Sequence, residues 1–154
     1  MSCGVEEAVV GKPDFGEVLE KTKDMPISGE NIREMEKIVI GLFRYFKEDS
    51  TGQSFQKFLT LLQKCEFSDY FVLYWLIFKR ERGLAEQAVV KFAEEAPSDG
   101  LLFAIKVMSF SNGQLSRSFL RDMKRNIDSR VAEEAQSVLD RLQNSQLFLK
   151  GGEK

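Results

Sequence analysis

Tyr70-Phe71-Val72-Leu73-Tyr74-Trp75-Leu76-Ile77-Phe78 is the most apolar stretch of the chain, and its reading decides the fold. Taken alone it fits a buried strand as well as a helix that is apolar all round. Two features favour the helix. The polar continuation Lys79-Arg80-Glu81-Arg82 contains no breaker, and the neighbouring segments repeat apolar residues at helical steps. Ser68 is placed to cap such a helix, which then runs from Asp69 to about Arg82. A helix apolar on every side belongs in the middle of a pile of helices. At about nine residues the stretch falls far short of the roughly 20 needed to cross a bilayer.

Upstream, Ile32, Met35, Ile38, Val39, Leu42, Phe43 and Phe46 recur at three- and four-residue steps, the stripe of an amphipathic helix opened by Ser28. The turn formers Asp49-Ser50-Thr51-Gly52 end it. Asp14 is placed to cap a short helix bearing Phe15, Val18 and Leu19, and Gln53 to Cys65 reads as a helix with Phe55, Phe58, Leu59 and Leu62 inward. Downstream, Gly83 marks a joint. A helix carrying Leu84, Ala88, Val89, Phe92 and Ala93 follows, then Ala96-Pro97-Ser98, with Ser98 free to cap the next helix through Met108. Ser116 to Asn126 and a last helix capped by Asp128, with Val131, Ala135, Val138, Leu139 and Leu142 in register, complete the series. The expected fold is all-α: a right-handed stack of about seven or eight short antiparallel helices on short loops. The expected organisation is a leader over 1–13, a single helical domain over 14–145 and a polar tail over 146–154.

Composition narrows the chemistry. The 154 residues contain no histidine, which removes the commonest general base and metal ligand. The two cysteines, Cys3 and Cys65, match neither a zinc site nor a disulfide framework, and Cys65 has no histidine to activate it. Glu94-Glu95 and Glu133-Glu134 are helix neighbours that point apart, so they are poor acid/base pairs. No Gly-rich phosphate loop is visible. These observations lead to an expectation of no enzyme activity and no cofactor. A formal net charge of −2 argues against a general polyanion binder, so nucleic acid is a poor candidate partner. Met1 to Val10 carry Glu6 and Glu7 and resemble no secretory signal. The expected address is nuclear or cytoplasmic, with no membrane partner.

From Phe119 onward, an apolar helix, the turn Asp128-Ser129-Arg130-Val131 and a helix with small Ala135 resemble a HEAT or armadillo unit, whose arrays offer a concave protein-binding surface. Within that class, Gly83 to Gln143 is similar to the amino-terminal domain family of the elongation factor TFIIS, which includes the core of the Iws/Spn-type elongation factors. Gly83 to Phe92 resembles its helix ending in a bulky aromatic. Leu101 to Phe110 resembles its leucine-rich central helix, and Ser116 to Leu142 its closing helix pair. Asn112-Gly113-Gln114 departs from the family's Gly-Ile-Gly-like turn, and Leu142 stands where a tryptophan is usual. The resemblance implies a nuclear domain of transcription elongation that docks a short segment of a partner elongation factor in a groove between helices. A structural or adaptor subunit of another assembly is the alternative.

Candidate partner-binding residues fall in two groups. Tyr70, Tyr74 and Trp75 belong to an aromatic girdle that a helix can bury only in part; core packing and an exposed binding patch are both open to them. Lys79 and Arg80, and Arg117, Arg121 and Lys124 on the late helices, read either as a solvated surface or as an anchoring strip for acidic residues of a partner segment. Glu81, Asp122 and Asp128 are interleaved with them and blunt any nucleic-acid potential.

Overall fold

The computed structural model describes residues 13–152, and only the backbone of 145–152. The expected leader, apart from Pro13, and the last residues of the tail lie outside the described part, as does Cys3. Among the described residues the fold is all-α, with no strand. Seven helices follow in order: α1 (Phe15–Thr22), α2 (Gly29–Glu48), α3 (Gln53–Gln63), α4 (Phe71–Glu94), α5 (Ser98–Met108), α6 (Gln114–Met123) and α7 (Ser129–Gly152). A 3-10 turn, Phe67–Tyr70, leads into α4. The chain divides into two compact units, one closing at Glu81 and the other opening at Arg82.

In the first unit, capping residues act where the sequence places them. The Asp14 side chain accepts from the Glu17 N–H at 3.2 Å, and Ser28 Oγ from the Asn31 N–H at 3.1 Å. Asp49 ends α2 and organises the turn into α3, accepting from the N–H groups of Thr51 at 3.0 Å and Ser54 at 2.8 Å. The Thr51 hydroxyl and the N–H groups of Ser54 and Thr51 hold its carboxyl well below the usual range. Gly52 takes φ 74°, a left-handed conformation that glycine adopts without steric cost.

The core of this unit is aromatic. Phe46 stacks on Phe55 with centroids 4.3 Å apart, Phe43 meets both rings edge-on, and Phe15 brings α1 against Phe58 at 5.1 Å. Such pairs add to the area they bury because ring edges and faces attract.

The Tyr70–Phe78 run is helical from Phe71 onward, as expected, and three details differ. Ser68 lies inside the 3-10 turn and does not cap α4. The helix is not apolar on every buried side: Leu73, Tyr74, Leu76, Ile77 and Phe78 are buried, while Phe71 is 50% and Trp75 43% exposed. Residues four apart share a helix face, so these two form one outward stripe. The break also falls at Glu81, with φ −138° and ψ 54°, rather than at Gly83.

In the second unit, α7 packs against both α5 and α6. Val131, Ala135 and Val138 are buried on it, and Ala104, Ile105, Met108 and Leu120 are buried on its neighbours. Ala135 offers only a methyl group, which lets backbones approach closely. Phe92 and Phe103 meet edge-on at 5.7 Å and join α4 to α5. Pro97, not Ser98, takes the cap position of α5. α7 also continues past the expected end at Ser145, because no breaker intervenes before Gly151-Gly152.

Phe58→Ala removes a ring with 0% exposure from the aromatic cluster. It is expected to lower unfolding free energy by about 3–5 kcal/mol. Phe71→Ala, on the outward stripe, is expected to cost well under half as much; urea unfolding followed by circular dichroism compares the two.

Candidate functional site

The sequence-derived candidates separate by burial. Tyr70 is 4% and Tyr74 1% exposed, so neither is available as a surface anchor. The physical reason is that each fills the core from its first turn. The Tyr70 hydroxyl donates to the Leu19 carbonyl at 3.1 Å, tying the 3-10 turn to α1, and the Tyr74 ring stacks on Phe67 at 4.9 Å. Burial pushes the Tyr70 hydroxyl up to about 12 and raises that of Tyr74 as well. Trp75 remains at the surface, with the Lys79 ammonium 4.8 Å from its ring centroid, a cation–π contact.

Arg80 lines a pocket of about 260 Å³ within the first unit, together with Val39, Ile40, Phe43, Arg44, Lys47 and Glu81. Its cations are largely answered from within the chain. Lys47 Nζ donates to Glu81 at 2.8 Å, and Arg80 Nη1 to Glu36 at 3.4 Å. A wider groove of about 500 Å³ between α1 and α3 is lined by Phe15, Gln53, Gln56, Lys57, Thr60 and Leu61, with Lys57 its one charge.

The three late cations come together in the second unit. Arg117, Arg121 and Lys124 stand at spacings of four and three on α6 or its last turn, which places them on one face. With Gln136, Leu139, Leu142 and Gln143 of α7 they line a groove of about 350 Å³. Leu139 and Leu142 are half-buried and form its apolar part; among the described residues no carboxylate lines it. Arg117 Nε donates to Asn112 Oδ1 at 2.7 Å, which holds that guanidinium against the turn before α6. Gln136 Nε2 donates to Asp140 Oδ1 at 2.8 Å along α7.

By periodicity Leu139 and Leu142 belong to the core stripe of α7. The stripe is buried through Val138 and then emerges, because α7 outlasts its neighbours. The contribution of Gln136 and Gln143 carried no sequence signal; polar residues on a helix look alike until the neighbouring helix is in place.

Asp128 anchors the start of α7. Its carboxylate accepts from the Arg130 N–H at 2.9 Å and pairs with the Arg130 guanidinium at 3.2 Å. The Ser98 hydroxyl, expected to cap α5, bonds Asp128 instead. These bonds, that of Arg130 foremost, lower the Asp128 pKa from the ordinary 3.8 to about 2.

Among the described residues no group of three or more histidine, cysteine, aspartate or glutamate side chains converges to hold a metal ion, and no helix is long and apolar enough to cross a membrane. No protein-family model, no curated protein and no solved structure matches the chain. The class defined by these observations is an all-α protein of stacked helices, compatible with a helical-repeat fold. No family match supports the narrower likeness to the TFIIS amino-terminal domain.

Because the folded pKa of Asp128 lies below its unfolded value, its contribution is present above about pH 4 and is lost as the pH falls through about 2. Asp128→Asn is therefore expected to unfold more readily than the parent at pH 7. The gap between the two urea midpoints should close as the pH falls from about 4 toward 2; a gap independent of pH would refute the role given to the carboxylate.

Proposed function

We propose that the chain is a non-catalytic docking module that holds a short segment of another protein in the groove between α6 and α7. One observation carries this reading: Arg117, Arg121 and Lys124 line one groove together with an apolar strip formed by Leu139 and Leu142. A peptide with an apolar anchor and flanking acidic residues satisfies both parts. The anchor gains by leaving water, and the carboxylates gain charge-assisted bonds that fix register. The resemblance of Gly83 to Gln143 to the TFIIS amino-terminal family makes a transcription elongation factor the favoured partner and the nucleus the favoured address, with the cytoplasm as the alternative.

A second reading, a structural or adaptor subunit of another assembly, draws on Phe71 and Trp75. Two large exposed side chains on one helix face suit a broad protein contact. It predicts that the purified chain self-associates or aggregates and that Trp75→Ser restores a monomer, as read by light scattering after gel filtration. A stable monomeric parent counts against it.

The docking reading is tested with a synthetic peptide bearing one phenylalanine between pairs of aspartates, followed by fluorescence anisotropy. The double variant Arg121→Glu, Lys124→Glu is expected to lose at least about tenfold in affinity with an unchanged far-ultraviolet spectrum. Parental binding should weaken as salt rises. Equal affinity in parent and variant would sink the groove as the site. Mass spectrometry of proteins co-purifying with the parent, but not with the variant, then tests the elongation setting.

A further inference from the structure

The turn that leads into α6 is built around a buried acidic side chain. Glu86, on the part of α4 that belongs to the second unit, is only 5% exposed. Its carboxyl accepts a hydrogen bond from the Ser111 hydroxyl, and Ser111 is itself buried. The same carboxyl lies against Gly113. A Cβ placed on that glycine would stand 2.8 Å from Glu86 Oε2, so a larger residue there needs the carboxylate or the turn to shift. Here the glycine is favoured by proximity to the carboxylate, not by its backbone angles, since its φ of −97° is open to any residue.

Ser116 closes the turn from the other side. Its hydroxyl accepts from the Gly113 N–H at 2.9 Å, and the Gly113 carbonyl at 2.9 Å and the Ser111 carbonyl at 3.3 Å are both within reach of its one proton. Between Ser111 and Gly113 sits Asn112, the residue that receives Arg117 Nε. A continuous set of contacts therefore runs from Glu86 through Ser111 and Gly113 to Asn112, and from Asn112 to the first cation of the groove.

We propose that Glu86 is the positioning residue of the groove: by holding the Ser111–Gly113 turn, it fixes where α6 begins and which way Arg117, Arg121 and Lys124 face. The consequence for binding rests on the docking reading above; the consequence for the turn does not. A polar group buried at 5% exposure needs a partner, and removing the carboxyl leaves the Ser111 hydroxyl without its acceptor. One helical residue turns the helix by about 100°, so a small slip at the start of α6 carries its cations off the face that Leu139 and Leu142 occupy.

The test uses the full chain, labelled with nitrogen-15, in four forms: parent, Glu86→Gln, Glu86→Ala and Gly113→Ala. Two quantities are read at a temperature where each is folded: solvent exchange of the Arg117 Nε–H, and affinity for the phenylalanine–aspartate peptide. Glu86→Ala is expected to speed the exchange about tenfold and weaken the peptide about fivefold to tenfold, the scale of one lost buried hydrogen bond. Glu86→Gln, which still accepts from Ser111, should stay near the parent. Gly113→Ala, which pushes the turn off the carboxyl from the other side, should follow Glu86→Ala and decides the matter if the latter does not fold. A merely structural role would lower the melting temperature and leave both readouts of the folded protein unchanged, which overturns the proposal. Faster exchange with unaltered affinity also overturns it, while leaving the groove intact if Arg121→Glu still abolishes binding. A parent that does not bind the peptide defeats the docking reading alone; the Arg117 exchange then still decides whether Glu86 holds the turn, unchanged exchange in Glu86→Ala overturning it.

Discussion

The contact of α7 with both α5 and α6 is the interaction on which the candidate site depends. Val131, Ala135 and Val138 recur at four and three residues and are almost fully withdrawn from solvent. Burial of such a stripe is the main favourable term available to a chain without disulfides among its described residues. Ala135 brings the helices close, and beyond Val138 the stripe outruns what α5 and α6 can cover. Leu139 and Leu142 are then left half-buried beside α6. The groove is the place where a helix longer than its partners stops being core.

Electrostatics distinguishes this groove from the other basic region. In the first unit Lys47 and Arg80 meet Glu81 and Glu36, so the chain supplies its own counter-charges. Pairs of this kind at the surface contribute little to stability because water screens them. In the second unit Arg117 donates to the neutral Asn112, and glutamine and leucine side chains of α7 share the groove with the three cations. On the docking reading, an acidic segment would bring its carboxylates to Arg117, Arg121 and Lys124.

A hydrogen bond made in the core explains how Tyr70 leaves the surface. A tyrosine can sit in a core when its hydroxyl finds a carbonyl, and Tyr70 finds that of Leu19. The same rule makes Glu86 informative. A carboxyl so deeply buried persists because Ser111 satisfies it and Gly113 leaves it room. The sequence gives no hint of this, because the partners lie 25 residues away along the chain.

The sequence by itself determined the all-α class, the helical state of the aromatic run and most helix starts and stops. Those properties depend on local periodicity, on side chains such as Asp14, Ser28 and Asp128 that reach the nearest free N–H groups, and on turn formers such as Asp49 and Gly52. That Arg117, Arg121 and Lys124 share one face follows from the bounds of α6. Only the tertiary structure decided that Tyr70 and Tyr74 are core while Phe71 and Trp75 are not. A run apolar on every side carries no periodic signal for which face will be covered. Only the tertiary structure set Ser98 on Asp128, Ser111 on Glu86 and the three cations beside Leu139 and Leu142. Those pairings join residues distant in the chain, and their energies exist only once the helices have packed.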